Sequence, residues 1–321
     1  MDVKTRVPFL VAVLVFSFGC GDDAAVVAPQ DGGPPANDAA SLADAATDAT
    51  AHSDADASVD ASIDASVDAP TRPGWRLVWS DEFNAPDGTP ADATKWNQET
   101  GNSGWTYNQE RQYYTPGTAN AVQRGGALVI TATTQGASQL TCEYGPCRYT
   151  SARFNSQNKF AQKYGRFEAR IQITRTQGLW PAFWMLGDDI GSKGWPTCGE
   201  IDIMENIGKE PAKNHGSLHG PGYSGGGALT GAYTLASGAL ADAFHVYAAE
   251  WEAGAIRFYV DDTLYETRTP ADVPNGSRWV YDHPFFIVLN VAVGGNFPGD
   301  PDNTTILPQE MKVDYVRVYA R

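Results

Sequence analysis

The clearest architectural signal in the chain is the run Val313-Asp314-Tyr315-Val316-Arg317-Val318-Tyr319, which alternates with a period of two. Successive side chains of a β-strand point to opposite faces of its sheet, so this pattern is typical of a strand. Similar runs, rich in β-branched and aromatic residues, occur at residues 75–79, 127–132, 166–173, 244–251, 255–260 and 285–293. Glycine, proline, asparagine and aspartate separate them, so together they predict a succession of short strands.

This texture continues from residue 73 to residue 321, with no sustained helical period and no internal linker. Many short strands in one uninterrupted body favour a single domain of packed sheets. We therefore predict an all-β sandwich over residues 73–321.

Residues 21–72 have a different composition, dominated by Ala, Asp, Ser and Pro. They include the near repeats Asp56-Ala57-Ser58-Val59, Asp60-Ala61-Ser62-Ile63 and Asp64-Ala65-Ser66-Val67. Residues 21–70 hold eleven aspartates and no Lys, Arg or Glu. Such a segment cannot bury a core and repels itself, so it is predicted to be a disordered linker.

The charge of the body excludes one class of partner. The formal net charge is −15, but the linker aspartates account for most of it and leave about −5 on residues 71–321. Nucleic-acid binding needs clustered Lys and Arg, which a near-neutral body does not supply. Nine Trp, fourteen Tyr and thirteen Phe instead suit the flat faces of sugars, although most such rings also pack in cores.

The first twenty residues have the pattern of a signal peptide. Lys4 and Arg6 precede an apolar run over residues 7–18, and this run is shorter than the roughly twenty residues of a membrane span. Ser17-Phe18-Gly19-Cys20 resembles a bacterial lipoprotein cleavage site, although Ser17 and Phe18 depart from the usual pattern. We expect an exported protein, either an outer-membrane or cell-surface lipoprotein anchored through Cys20 or an ordinary secreted protein. Nothing indicates an obligate protein partner, so we expect a monomer.

Three further cysteines lie in the body. Cys142 and Cys147 flank a turn-like spacer and could form a disulfide in an oxidising compartment. Cys198 would then remain alone, and we predict that it is buried and not catalytic.

Three acids are embedded in the apolar run Gly199-Glu200-Ile201-Asp202-Ile203-Met204-Glu205-Asn206. On a regular strand Glu200 and Asp202 share one face, and Glu205 points to the other. A single bulge near Ile203 and Met204 would return Glu205 to the face of the other two acids. The run therefore predicts three carboxyl groups on one wall.

Such a wall suits the hydrolysis of glycosidic bonds. A retaining mechanism uses one carboxylate as nucleophile and one carboxylic acid as proton donor, about 5–5.5 Å apart. Asp202 would favour a protonated neighbour by charge repulsion. The alternative is the charged outer face of a solvated strand, where alternating acids also occur.

The segment 200–205 resembles the bulged signature of glycoside hydrolase family 16. Segments 79–84, 108–114, 164–170, 178–184, 289–295 and 313–319 resemble the same family in the same order. The resemblance implies a concanavalin-like β-jelly-roll with an open cleft on its concave face and no cofactor for catalysis. It also implies that Glu200 is the nucleophile, Glu205 the general acid/base and Asp202 their helper.

Within the family, the six-residue spacing is similar to that of laminarinases, agarases and carrageenases, and the surroundings of Trp180, residues 194–196 and residues 289–295 look most like laminarinases. This implies endo-acting hydrolysis of β-1,3-glucan or of mixed-linkage 1,3-1,4-β-glucan. The alternatives are a hydrolase of agar or carrageenan, a non-catalytic β-glucan-binding protein, and a surface adhesin.

The resemblance also suggests binding residues. Trp180 and Trp184 should form aromatic platforms beside the cleavage point. Further cleft-lining partners are predicted at Trp195, Asn108, Arg153 and His219. A structural calcium ion is implied far from the cleft, held by Glu82, the carbonyl of Gly126 and Asp314, since oxygen ligands suit calcium.

Overall fold

The computed structural model describes residues 72–103 and 108–321. The predicted signal peptide, Cys20 and nearly all of the linker lie outside these residues. The described residues form the strands β1 (Arg76–Asp81), β2 (Asn97–Glu99), β3 (Gln112–Tyr114), β4 (Ala121–Gln123), β5 (Leu128–Ala132), β6 (Thr141–Cys142), β7 (Gly145–Pro146), β8 (Tyr149–Ser151), β9 (Arg153–Asn155), β10 (Gly165–Gln172), β11 (Leu179–Gly187), β12 (Glu200–Glu205), β13 (Lys213–His219), β14 (Leu229–Thr234), β15 (His245–Glu252), β16 (Ala255–Val260), β17 (Thr263–Arg268), β18 (Phe285–Val293) and β19 (Gln309–Ala320).

Helical structure is limited to short pieces in this part of the chain. The α-helix α1 spans Ile190–Lys193, and single 3₁₀ turns lie at Ala137–Gln139, Gly225–Gly227, Leu240–Asp242 and Pro270–Asp272. None of these is long and apolar enough to cross a membrane.

Two large antiparallel sheets contain most of the strands. The eight-stranded sheet has the order β17-β16-β15-β10-β19-β5-β4, with β1 also paired to β19. The seven-stranded sheet has the order β14-β13-β12-β11-β18-β9-β2. Strands distant in sequence, such as β10 and β19, are neighbours, as the long connections of a jelly roll require. The predicted all-β jelly-roll sandwich is confirmed.

The core lies between the inner faces of these sheets. Phe167, Ala169 and Ile171 of β10 contribute from the eight-stranded sheet, and Phe183 and Met185 of β11 contribute from the seven-stranded sheet. The residues that alternate with them face outward, as the period of a strand requires. On the seven-stranded sheet those outward residues form the floor of a cleft.

The last strand departs from the uninterrupted alternation predicted for residues 313–319. Val313 and Val316 both lie in the core, although their odd separation would place them on opposite faces of a regular strand. The pairing with β10 shifts at this point, because Arg170 lies opposite Tyr315 while Ile171 lies opposite Val313. This bulge at Asp314 returns the valines to the core.

The cysteines of the body are arranged in one of the ways that the sequence allowed. Cys142 and Cys147 form a disulfide. Cys198 is free and fully buried, as predicted.

Candidate active site

A cleft of about 1030 Å³ crosses the outer face of the seven-stranded sheet. Its floor comes from alternate residues of β11, β12, β13 and β18, whose intervening residues point into the core. The cleft is lined by Asn108, Glu110, Arg153, Trp180, Ala182, Trp184, Leu186, Ile190, Trp195, Glu200, Asp202, Glu205, His215, Ser217, His219, Gly225, Gly226, Ala228, Thr230, Asn290, Ala292, Asn296 and Phe297.

The bulge predicted in β12 is present and brings the three acids to this floor. Asp202 lies opposite Ser217 of β13 and Glu205 lies opposite His215, so three steps along β12 match two along β13. Ile203 and Met204 both point into the core as a result. All three carboxyl groups therefore line the cleft.

Indole N–H groups bind the two glutamates. Trp195 Nε1 donates a hydrogen bond of 3.1 Å to Glu200 Oε2, and Trp180 Nε1 donates one of 2.9 Å to Glu205 Oε1. An indole is a donor without a charge, so it orients a carboxyl group without fixing its ionisation as a guanidinium would.

His219 lies between two of the acids. Its Nε2 is 3.0 Å from Asp202 Oδ2 and 3.7 Å from Glu200 Oε1. The backbone N–H of Gly225 donates a 3.0 Å hydrogen bond to His219 Nδ1. Because Nδ1 accepts this bond, the neutral ring carries its proton on Nε2, which faces the acids.

Burial and mutual repulsion keep protons on the acids. Burial raises the pKa of Glu200 to about 8, and the charge of Asp202 adds to this rise while His219 opposes it. Burial also raises the pKa of Glu205 to about 8, again with help from Asp202. Burial raises the pKa of Asp202 itself well above its usual value. The three groups therefore hold at least one proton near neutral pH.

The aromatic floor is fixed by polar neighbours. Trp184 Nε1 donates a 2.8 Å hydrogen bond to Asn290 Oδ1, and the Arg153 guanidinium lies 4.8 Å from the Trp184 ring. Arg153 in turn forms a 2.7 Å ion pair with Glu99. The ring is thus held in one orientation, as a sugar-stacking platform requires.

A second aromatic group lies on the side of Glu205. The Phe297 ring packs edge-on against Trp180 at 5.6 Å and against His215 at 5.2 Å. The three rings form a continuous wall beside the carboxyl group of Glu205.

All nine residues that the sequence suggested for catalysis and substrate binding lie in this one cleft: Glu200, Asp202, Glu205, Trp180, Trp184, Trp195, Asn108, Arg153 and His219. The structure gives their positions, and their chemical roles stay predictions. Sequence reasoning did not assign cleft positions to Glu110, His215, Asn290 and Phe297. Two of these lie in segments that carried the family resemblance, Glu110 in segment 108–114 and Asn290 in segment 289–295.

The residues suggested for calcium lie on the other sheet. Glu82 directly follows β1, and Gly126 lies two residues before β5. Strands β1 and β5 both pair with β19, which contains Asp314. In the structure Glu82 accepts two hydrogen bonds from Arg317, at 3.0 and 2.8 Å, and Asp314 accepts one from Arg170, at 2.6 Å. The fold brings the three positions near one another, and arginines neutralise both carboxylates.

Among the described residues, the group of three acid or histidine side chains whose ligand atoms all lie within 4.8 Å of one another consists of Glu200, Asp202 and His219. These three groups are part of the acid cluster in the cleft. Their contacts with one another are those of a proton-sharing group.

Comparison with known proteins agrees with this geometry. The family model described as "Glycosyl hydrolases family 16" matches residues 105–317. A beta-glucanase of Rhodothermus marinus is 42% identical over 259 residues, which cover 77% of this chain and 86% of that relative.

Two solved structures extend the comparison. The catalytic domain of an endo-1,3-beta-glucanase (laminarinase) from Thermotoga petrophila RKU-1 is 45% identical with a TM-score of 0.71, covering 77% of this chain and 98% of that one. The endo-beta-1,3-glucanase from Pyrococcus furiosus is 45% identical with a TM-score of 0.72, covering 77% and 94% respectively.

Proposed function

The chain belongs to family 16 of the glycosyl hydrolases, and on that premise we propose that it is a retaining endo-hydrolase of β-1,3-glucan such as laminarin. Its action extends to mixed-linkage 1,3-1,4-β-glucan. The observation that carries the proposal is the bulge in β12, which turns Glu200, Asp202 and Glu205 toward one cleft.

The first chemical step is the formation of a glycosyl-enzyme. Glu200, ionised, attacks the anomeric carbon of the sugar on one side of the scissile bond. Glu205, protonated, transfers its proton to the glycosidic oxygen, and the rest of the glucan leaves as an alcohol. Burial raises the pKa of both glutamates to about 8, so the pair shares a proton, and the step begins from the state in which that proton is on Glu205.

The second step releases the sugar. Glu205, now a carboxylate, removes a proton from a water molecule, whose oxygen attacks the anomeric carbon and displaces Glu200. Two inversions restore the original configuration, so the product is the β-anomer. Both glutamates return to their starting protonation states, and no cofactor takes part.

Asp202 and His219 set the protonation of the pair. Asp202 raises the pKa of both glutamates by charge repulsion. The Nε2–H of His219 faces Asp202 and Glu200, where it stabilises negative charge between them. Asp202 thereby favours a proton on the pair, and His219 favours negative charge on both glutamates.

The shape and chemistry of the cleft support an endo-acting enzyme for a neutral glucan. The cleft is open and extends across several strands, so a chain can enter without presenting an end. Trp180 and Trp184 bind sugar faces by stacking. The remaining lining combines amides, hydroxyls and few charges, which suits sugar hydroxyl groups.

A substrate panel tests this proposal. The wild-type protein is incubated with laminarin, lichenan, agarose and carrageenan, and released reducing sugar is measured. We expect the fastest release from laminarin, a slower release from lichenan and none from the other two. Release from agarose or carrageenan alone would favour the other hydrolase classes, and no release with retained laminarin binding would favour a binding protein.

We also propose that Glu82, the carbonyl of Gly126 and Asp314 bind calcium. Their neighbouring positions along β19 support this, and the ion would replace the arginine contacts of the two carboxylates. The ion would be structural. Calcium is expected to raise the melting temperature of the wild-type protein, and Asp314→Asn should abolish that rise. An unchanged melting temperature with calcium would contradict the site.

Export and anchoring are further proposals. The Cys142–Cys147 disulfide supports an oxidising compartment. We propose that Cys20 carries a lipid in an outer-membrane or cell-surface protein and that the folded part is a monomer. Labelling of cells with a fatty-acid analogue should mark the wild-type protein and not Cys20→Ser. Unlabelled wild-type protein in the medium would instead support ordinary secretion, and light scattering of the purified protein tests the monomer.

A further inference from the structure

A disulfide-closed hairpin, residues 141–147, lies beside the segment that carries two cleft residues, Asn108 and Glu110. We call residues 108–112 the wall segment. The two short strands of the hairpin are joined by the Cys142–Cys147 disulfide, which is buried in a small apolar cluster separate from the main core. The hairpin itself does not line the cleft. It can therefore affect a substrate only through the residues that it contacts.

Two polar links join the hairpin to the wall segment. The Tyr144 hydroxyl donates a hydrogen bond to the backbone carbonyl of Arg111, whose guanidinium lies 5.8 Å from the Tyr144 ring. The Glu143 backbone N–H donates to Asn102 Oδ1 at 3.0 Å, and Asn102 Nδ2 donates to the carbonyl of Gln112 at 2.8 Å. The hairpin thus fixes two consecutive carbonyl groups of the wall segment.

The end of β18 and the loop after it hold the wall segment from the other side. The N–H of Arg111 donates to the carbonyl of Val293 at 2.7 Å, and the N–H of Val293 donates to Gln112 Oε1 at 2.7 Å. The N–H of Asn296 donates to the carbonyl of Asn108 at 2.6 Å. The wall segment is therefore held by β18 on one side and by the hairpin on the other, while Gln112 also pairs with Tyr149 of β8 and Arg111 forms an ion pair with Asp300.

Glu110 depends on these contacts for its orientation. Its side chain is buried, with Oε1 accepting from Asn108 Nδ2 at 3.3 Å and Oε2 accepting from Gln112 Nε2 at 2.7 Å. These two donors belong to the wall segment, and Tyr114 and Arg153 also interact with the carboxyl group. A movement of the wall segment's backbone would turn the carboxyl group away from the cleft.

We propose that the hairpin is a positioning element for the glucan, in which Tyr144 and the Cys142–Cys147 disulfide hold Asn108 and Glu110 in place to bind sugar hydroxyl groups. The inference rests on the proposed function, because it assumes a glucan in the cleft. Asn108 and Glu110 lie on the wall segment, whereas the three catalytic acids lie on β12. Loss of the hairpin contact should therefore weaken the binding of long substrates and leave the chemical steps intact.

Tyr144→Phe tests this directly, because it removes the hydroxyl and keeps the ring and the disulfide. KM and kcat are measured on a long laminarin oligosaccharide and on a short aryl laminaribioside. We expect KM for the long substrate to rise about three- to tenfold, as for the loss of one hydrogen bond. The kcat on both substrates should not change, and the melting temperature should fall only slightly, as for the loss of one hydrogen bond.

A matched control is Tyr259→Phe, which removes a hydroxyl that donates to Glu250 at 3.1 Å on the eight-stranded sheet. We expect wild-type KM and kcat on both substrates from this variant. A rise in KM equal to that of Tyr144→Phe would contradict the inference, since it would not depend on the wall segment.

The double variant Cys142→Ser/Cys147→Ser tests the second half of the proposal. We expect a larger rise in KM for the long substrate than in Tyr144→Phe, with the kcat on the short substrate retained. An unchanged KM in both variants, or a kcat that falls equally on both substrates, would overturn the inference. A wild-type protein that does not cleave laminarin would instead overturn the proposed function.

Discussion

Each of the two large sheets has a buried acid on its outer face, and the two acids have different basic partners. On the eight-stranded sheet, Glu168 is fully buried and lies 2.8 Å from Arg166 and 3.0 Å from Arg72. On the seven-stranded sheet, Asp202 is almost as buried, and among the described residues the basic side chain in contact with it is His219, at 3.0 Å. One acid has two permanent cations beside it, and the other has a single imidazole.

This difference separates a structural acid from a reactive one. Guanidinium groups stay charged at any ordinary pH, so the ion pairs of Glu168 with Arg166 and Arg72 have a structural role. Among the residues that the structure describes, no guanidinium forms a salt bridge with the three acids of β12, and burial and repulsion raise the pKa values of the two glutamates and allow proton transfer. The cleft acids can therefore transfer protons, but their burial without a permanent cation lowers the stability of the fold, as is common in active sites.

The largest expected effect is on turnover at the seven-stranded sheet. Glu200→Gln keeps the shape of the side chain and removes the nucleophile, so kcat on laminarin should fall by about 10⁴-fold or more. Binding of laminarin should be retained, as measured by affinity electrophoresis. The control is Glu310→Gln, whose carboxylate pairs with Arg124 on the other sheet and should keep wild-type turnover. Unchanged turnover in Glu200→Gln would remove the basis of the assignment.

The next largest effect is on the stability of the protein and comes from a variant on the eight-stranded sheet. Arg166→Leu leaves the buried Glu168 with one partner fewer, so the free energy of unfolding should fall by about 3–5 kcal/mol. Urea titration measures this change, and the turnover per folded molecule should stay at the wild-type level. Arg124→Leu breaks an exposed pair and should change stability by about 1 kcal/mol or less. Equal losses in the two variants would show that burial is not the cause.

A smaller change in the free energy of unfolding, of opposite sign, is expected for a variant in the cleft. The pKa of Glu205 rises from 4.5 to about 8 on folding, so the folded protein keeps a proton that the unfolded chain has lost. Its contribution to stability is therefore present below pH 4.5 and is lost as pH rises toward 8. Glu205→Gln should raise the free energy of unfolding by about 1–2 kcal/mol at pH 8 and leave it unchanged at pH 4. Destabilisation at pH 8 would contradict this account.

The smallest effect is on the pH dependence of the reaction. In the wild-type protein kcat/KM should fall as pH rises through about 8, because Glu205 loses its proton. Asp202→Asn removes the charge that raises the pKa of both glutamates, so the alkaline limb of the residual activity should move to lower pH. A limb that stays in place would mean that Asp202 does not act through charge.

Local patterns in the sequence were sufficient for the sheets and for the acids. Runs rich in β-branched and aromatic residues predicted strands at residues 255–260 and 285–293, and the structure has β16 and β18 at these residues. The three acids within one apolar run required a bulge to share a face, and the pairing of β12 has it. Both inferences use only residues that are close together in the sequence, which is local information.

Features that depend on distant contacts were not accessible in the same way. Glu110, His215 and Phe297 reach the cleft from three segments that are neighbours only in the folded protein. The bulge at Asp314 follows from the pairing of β19 with β10, so the sequence of β19 alone gave an uninterrupted strand. The arginine partners of Glu82 and Asp314 likewise come from sheet pairing and from residues far along the chain.

The central claim is that Glu200 forms the covalent bond and Glu205 moves the proton. A 2-deoxy-2-fluoro laminaribiosyl fluoride should trap the first intermediate, because fluorine slows the second step more than it slows the first. Intact mass and peptide mapping should find one added disaccharide, on the peptide that contains Glu200 and bonded to that residue. A sugar bonded to Glu205, or no adduct in an enzyme that cleaves laminarin, would contradict the mechanism.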